Sequence, residues 1–326
     1  MRLIRVALFS GGALLFAALI VKIGPATVLA SFSEFSWRLL LVVCFPFSVM
    51  TVFDTLGWRF AFRRDRVPFL ALFKARLAGE AFNLTTPTAS VGGEAVKAWL
   101  LRPHVAVDES LPSVIVAKTT ITIAQGLFLL LGIAVAWPTL PTGSLLLRGM
   151  QWLLVIEIIA VGGFVLVQLS AILSKGGRLL RWLGLLGSSA RAQTLLKVDN
   201  ALSGFYRGEP RRLLLSVGCH FVGWVLGALE AYLILRFLGV PVSLGTATVI
   251  EAFGTGIRFA AFLIPGGLGV LESGHVATFL ALGMGAGSGL TFSLIRRVRE
   301  ATWVGLGVIA LAVMRSGAAP MPAVEG

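Results

Sequence analysis

Residues 87–94 read PTASVGGE, and residues 265–272 read PGGLGVLE. Each stretch places a proline seven positions before a glutamate with a Gly-Gly pair between, and each interrupts a strongly apolar region where an unbroken helix would be expected. Proline lacks an N–H and fixes φ, while glycine reaches backbone conformations that other residues resist, so the chain can end one helix and begin another inside the apolar region. The new helix starts with unpaired N–H groups that carry about half a positive charge and attract an anion such as a phosphate or carboxylate. Glu94 and Glu272 follow close behind. They either belong to that anion site or stabilise the helix starts, and the sequence leaves both roles open.

Composition sets the solvent in which these breaks occur. Of 326 residues, 57% are hydrophobic and only 13% are charged, and the mean hydropathy is +0.91. Such a chain cannot hide its apolar surface in a water-facing core, so the fold class expected is an all-α, polytopic integral membrane protein. The net charge of +13 does not point to nucleic acid, because the basic residues cluster between apolar runs, the pattern that orients membrane helices. Cys44 and Cys219 each lie within an apolar run and read as small buried residues rather than a disulfide or metal pair.

Stretches long enough to cross a bilayer, at about 20 residues per crossing, fall near 6–22, 39–58, 112–137, 149–171, 213–236 and 290–314, giving about six spans. The first resembles a secretory signal at its start, but no small-residue cleavage site follows it, and it is expected to be retained. Two further apolar regions, 71–101 and 246–286, are broken in the middle by the opening motifs and read as re-entrant helical hairpins. With a cytoplasmic N-terminus, nineteen of the 28 basic residues fall on the inner side, so both termini are expected to be cytoplasmic. Residues 1–316 then form a single membrane domain and 317–326 a disordered tail. Segment 172–212 is the sizeable extramembrane piece. Its RLLRWLGLL suits a helix lying on the inner leaflet, and an ordinary basic loop anchored by Trp182 fits equally.

Laid side by side, the halves 39–137 and 213–314 match in order. Each has a broken hairpin followed by a span with a basic residue near its start, Lys118 in the first and Arg296 in the second, and the hairpins begin on opposite sides. This is the signature of an inverted-topology repeat, in which interrupted helices meet near the midplane to build a site reachable from either side. Lys97, Lys118, Arg258, Arg296, Arg297 and Arg299 are the cations available to partner Glu94 and Glu272. Glu80, Asn83, Glu251 and Arg258 line the approaches to the breaks, and Glu157 and Glu230 sit inside nominal spans. Asp54, Gln125, His220 and His275 read as packing or interfacial residues. The three histidines have no metal-ligand spacing, and there is no G-x-S-x-G, Walker or dinucleotide fingerprint, so no catalytic, metal or cofactor site is expected.

The stretches GEAFNLTTPTASVGGEAVKAWLL (79–101) and FLIPGGLGVLE (262–272) resemble the transmembrane flippase region of lysylphosphatidylglycerol synthases. They are especially similar to the small flippase-like members that lack the aminoacyl-transferase domain and are associated with hopanoid biosynthesis genes. The resemblance implies a multi-pass protein of the bacterial inner membrane, with two re-entrant hairpins, that moves lipids between leaflets. It carries over onto Asn83, Pro87, Gly92, Gly93 and Glu94 in the first motif and onto Pro265, Gly266, Gly267, Gly269 and Glu272 in the second. With no soluble transferase segment in the sequence, aminoacyl transfer is not expected.

The leading expectation is a lipid translocator: Lys97, Lys118, Arg258 and Arg296 draw in a polar or anionic headgroup, and the two helix starts hold it. A membrane-embedded enzyme with Glu94 or Glu272 as general base, and a scaffold for lipid-synthesis enzymes, are the alternatives. The partner expected in each case is membrane lipid, with lipid-synthesis enzymes as further candidates and no nucleic acid. The topology predicts that a cysteine introduced beside Arg102 reacts with an impermeant maleimide only after the cytoplasmic face is opened; reaction from the outside alone would end the inverted arrangement.

Overall fold

The computed structural model describes residues 37–86, 92–141, 143–169, 189–260, 264 and 267–316, with a few isolated positions before residue 37. Pro87, Pro265 and Gly266, the expected first span 6–22, the RLLRWLGLL stretch and the tail 317–326 lie outside the described residues, apart from isolated positions in that span. Every described element is helical, and the protein is an all-α integral membrane protein. Eleven helices follow in order: α1 (Arg38–Cys44), α2 (Phe47–Phe60), α3 (Phe69–Thr85), α4 (Gly92–Leu100), α5 (Val107–Ala136), α6 (Leu145–Leu169), α7 (Ser189–Gly208), α8 (Pro210–Phe237), α9 (Leu244–Ala260), α10 (Val270–Ala281) and α11 (Ala286–Ser316).

Among the described residues, four stretches are long and apolar enough to cross a membrane by length and composition: Leu40–Phe60, Val107–Ala136, Leu145–Gln168 and Pro210–Phe237. They coincide with four of the expected spans. The expected span 290–314 lies within α11, which at 31 residues is long enough but carries Arg296, Arg297, Arg299 and Glu300. Local signals explain several boundaries. Proline opens α8 at its first position, where a missing N–H costs nothing, and Asp108 and Glu109 stand at the positive start of α5. Threonines within the apolar helices turn their hydroxyls onto the preceding turn, as Thr55 does on the Thr51 carbonyl at 2.7 Å and Thr278 on the Gly274 carbonyl at 2.7 Å, so these hydroxyls are satisfied without water.

Both broken regions are antiparallel helix pairs. In the first, α3 runs beside α4, with Asn83 against Gly93 and Glu80 against Lys97. In the second, α9 runs beside α10, with Ile257 against Gly274 and Gly254 against His275. At 17 and 9 residues, α3 and α4 reach about 25 and 14 Å, and α9 and α10, at 17 and 12, reach about 25 and 18 Å, all short of the roughly 30 Å hydrocarbon core. The second turn is made by glycine: Gly267 and Gly269 have φ of 59° and 79°, which L side chains rarely adopt.

The two hairpins are packed by exchange. α3 lies along α11 of the other half, where Gly307 meets the Leu77 carbonyl and Ala81; α9 lies along α5, where Gly132 meets Ala252. Between them α2 and α8 cross antiparallel, with Gly57 against His220 and Gly223 against Asp54. One apolar core gathers Trp58, Leu72, Leu101, Val114, Leu202 and Phe205, the next Ile234, Ile250, Phe279, Phe292 and Ile295, and a third, around Phe128, Met150 and Ala252, joins α5, α6, α8 and α9. The described part of segment 172–212 is therefore not simply laid on a leaflet, since α7 sends Val198, Leu202 and Phe205 into the first core. Outside the spans, the 61–68 connection is pinned where Arg212 reaches Asp65. Burial pushes the Asp65 carboxyl up, but Arg212 and Arg59 outweigh it and hold the carboxyl below the usual range.

Close helix approach in the first hairpin depends on Gly93, where a Cβ would collide with the Gly79 carbonyl oxygen and with Asn83. Gly93→Ala is expected to cost about 1–3 kcal/mol through overpacking, read as a lowered Tm in detergent; an unchanged Tm would mean the two helices do not touch there.

Candidate functional site

Lipid offers charged side chains nothing to solvate them, so the geometry of the intramembrane charges is the place to look for function. In the first hairpin, Lys97 of α4 is buried and donates to Glu80 of α3 at 2.7 Å and to Glu94 at 3.2 Å. Lys118 of α5 stands 4.0 Å from Glu94, its side chain 52% exposed. Deeper in, Asp54 of α2 accepts from Arg76 of α3 at 2.8 Å and pairs with His220 Nδ1 of α8 at 2.9 Å. Trp58, Arg76, Glu80, Glu94, Lys97, Lys118 and His220 line one cleft with about 340 Å³ of empty volume. The set holds three permanent cations, Arg76, Lys97 and Lys118, and three carboxylates, Asp54, Glu80 and Glu94, so it is neutral with His220 uncharged.

The second hairpin carries a tighter set. Glu230 of α8 is fully buried and accepts from Arg299 of α11, with Arg296 3.4 Å away. Glu251 of α9 pairs with Arg296 and accepts from Arg258 at 2.6 Å. Glu272, also fully buried, accepts from the Gly269 N–H at 2.7 Å through one oxygen and from Arg297 Nε at 2.7 Å through the other. Arg297 continues to Glu300 at 3.3 Å. Four arginines face four glutamates, so this set too is neutral. Aromatic faces take part of the guanidinium surface: Phe47 lies 4.1 Å from Arg299, and Phe292 lies 4.7 Å from Arg296.

The two sets meet along α8. Trp224 donates its indole N–H to the Ile121 carbonyl of α5 at 3.4 Å, and its ring lies 5.4 Å from the Arg258 guanidinium. Arg258, 36% exposed, and Lys118, 52% exposed, are the most exposed cations of their sets, one from each half.

The residues expected from sequence divide accordingly. Asn83, Gly92, Gly93, Glu94, Lys97 and Lys118 come together in the first set; Arg258, Gly267, Gly269, Glu272 and Arg296 gather at the second. The helix starts are not bare. Asn83 Oδ1 accepts from the Gly93 N–H at 2.7 Å, and Glu272 satisfies Gly269. Positive charge in the cleft therefore comes mainly from side chains. The two motif glutamates also differ, since Glu272 has both oxygens engaged out of reach whereas Glu94 lines the open cleft.

A family model for the lysylphosphatidylglycerol synthase TM region matches residues 2–309. The chain belongs to that family. A relative named "UPF0104 membrane protein" in Methanothermobacter thermautotrophicus is 26% identical over 305 residues, covering 88% of each chain. No solved structure matches. Membership in this family of multi-pass membrane proteins carries a membrane-lipid-related role.

Glu80, Glu251, Glu230, Arg299 and the Asp54–His220 pair were not among the residues expected to form the site. A signal for the first two lies in the sequence: Glu-Ala-Phe recurs at 80–82 and 251–253, and Gly-Trp at 57–58 and 223–224, in corresponding helices. Removing charge from a buried pair strands its partner. Glu230→Gln is expected to destabilise the protein by about 3–5 kcal/mol, whereas Lys118→Gln, at an exposed and longer pair, costs about 1 kcal/mol or less. Thermal unfolding of both variants checks this, and equal Tm losses would contradict the assigned burial.

Proposed function

We propose that this protein translocates lipid between leaflets, holding the headgroup at the cleft lined by Glu94, Lys97 and Lys118, with Arg258 as the corresponding cation of the other half. The observation that carries this is the contrast between charges locked in buried pairs and Lys118, which stands half-exposed at the polar cleft 4.0 Å from Glu94, with Arg258 the most exposed cation of the second set. Each set is neutral, so an anionic headgroup is not drawn by net charge. It enters by exchange, the phosphate replacing Glu94 at Lys118, or Glu251 at Arg258, while Lys97 and Arg296 keep the displaced carboxylates paired.

The reciprocal packing of α3 on α11 and α9 on α5 supports an inverted repeat with both hairpins re-entrant, and the basic residues between the apolar runs support cytoplasmic termini. Packing register supports a match different in detail from the basic residues alone, because aligning Gly132 with Gly307 brings Lys118 opposite Ser293, one turn before Arg296. In a bacterial inner membrane the cargo best suited to such cations is an anionic phospholipid. The likeness to hopanoid-associated members makes a hopanoid the second candidate. The Asp54–His220 pair is the feature that favours an embedded enzyme, but His220 Nε2 is buried against Gly57, which leaves no room for a substrate.

Glu94→Gln, Lys118→Gln and Arg258→Gln are expected to keep a near wild-type Tm and to change leaflet exchange of labelled anionic phospholipid several-fold in liposomes, normalised to folded protein. Glu272→Gln is expected mainly to lower Tm. Wild-type exchange in the first three would remove the cleft from the transport path.

A further inference from the structure

α6 is the most lipid-exposed of the spanning helices, with Trp152, Ile158, Ile159 and Leu166 each more than half exposed. Glu157 stands at its middle. The carboxyl lies against Gly126 of α5, its Cδ 3.6 Å from where a Cβ would be, and Oε1 is buried with no hydrogen-bond partner. Around it is a cleft of about 400 Å³ of empty volume, apolar apart from Thr122 and Gln125 of α5 and Thr255 of α9. Among the described residues, no other titratable side chain lines it.

Most of the charges on the helices packed against α6 have partners of their own. On α5, Lys118 lies one turn from Thr122, at Glu94; on α9, Arg258 and Glu251 hold each other. On α10, Glu272 is taken by Arg297 and Gly269, and His275 by Ser293 at 3.0 Å. On α7, Lys197 reaches Asp108 and Tyr206 donates to Gln168; Asp199, which is also engaged, and Arg207 complete the titratable groups among its described side chains. The carboxylates of both hairpin sets each have a cation within 4.0 Å, and Glu157 has none among the described residues. An ionised carboxylate there would be stranded in lipid without counter-charge, whereas the neutral acid would not.

We propose that Glu157 is a proton-binding site within the bilayer, a neutral carboxylic acid at neutral pH that exchanges its proton through the α5/α6/α9 cleft. It is the group by which a pH gradient acts on lipid movement, a consequence that rests on the translocation proposal; the binding site itself does not. The test uses full-length protein in liposomes treated with dicyclohexylcarbodiimide, which enters lipid and reacts with protonated carboxyls. The acid O–H adds across one C=N bond, and the adduct rearranges to a stable N-acylurea with no leaving group. Peptide mass spectrometry should find Glu157 modified at least about tenfold faster than Glu230, Glu251 or Glu272, with labelling falling about tenfold or more from pH 6 to pH 9 as the acid form is lost. Glu157→Gln should abolish that label. Absence of label at Glu157 at any pH, a rate no higher than at the paired glutamates, or labelling independent of pH would overturn the proposal, whether or not lipid exchange is observed.

Discussion

Every buried carboxylate in the two hairpin regions must be held by a cation from a neighbouring helix, and the arrangement of the bundle follows from that requirement. An unpaired charge at the centre of a bilayer costs at least about 2.5–3.5 kcal/mol, so a helix carrying one is admitted only where its partner is already in place. Lys97 ties α4 to α3, Arg297 ties α11 to α10, and Arg299 ties α11 to α8. This is why the charged stretch of α11, with Ile295, Arg296 and Arg299 buried, packs inside the bundle, while the apolar residues beyond it, such as Leu306 and Ile309, remain exposed. Glycines make the short distances possible. Gly79 and Gly93 let the first hairpin close, and Gly57 and Gly223 let Asp54 and His220 meet across the α2–α8 crossing.

Neutral sets of paired charges also constrain chemistry. They give no long-range pull on an anion, and a headgroup binds only by taking over a partner. Partners that can be exchanged without stranding a charge need both a second counter-ion and an exposed cation to release, and this singles out Glu94, held by Lys97 as well as Lys118, and Glu251, held by Arg296 as well as Arg258. Glu272 and Glu230 lie outside this group. Both are fully buried, and Glu272 spends one oxygen on the start of its own helix.

Much of this was legible in the sequence. Apolar runs with basic residues between them identified the membrane class, and Pro-Gly breaks followed by glutamate pointed to both helix pairs and to part of the polar sets beside them. Pairing was harder to read. Glu230 and Arg299 are 69 positions apart, and which carboxylate meets which arginine depends on helix contacts that hydropathy does not encode. The repeated Glu-Ala-Phe and Gly-Trp would have brought Glu80 and Glu251 forward, because they mark helices that occupy matching places. Glu157 was visible only as an acid inside a span; that it has no cation partner among the described residues is a property of the packing of α6 against α5 and α9.

The central claim is that the chain carries lipid across the bilayer without altering it. Its most direct test is a leaflet-exchange measurement on the wild-type protein in sealed liposomes containing a fluorescent anionic phospholipid, with a membrane-impermeant quencher added outside and the recovered lipid analysed by mass spectrometry. The account predicts that quenching extends to the inner-leaflet pool and that the headgroup is recovered unchanged. Quenching confined to the outer-leaflet pool, as in protein-free liposomes, or recovery of a chemically converted headgroup, would contradict it.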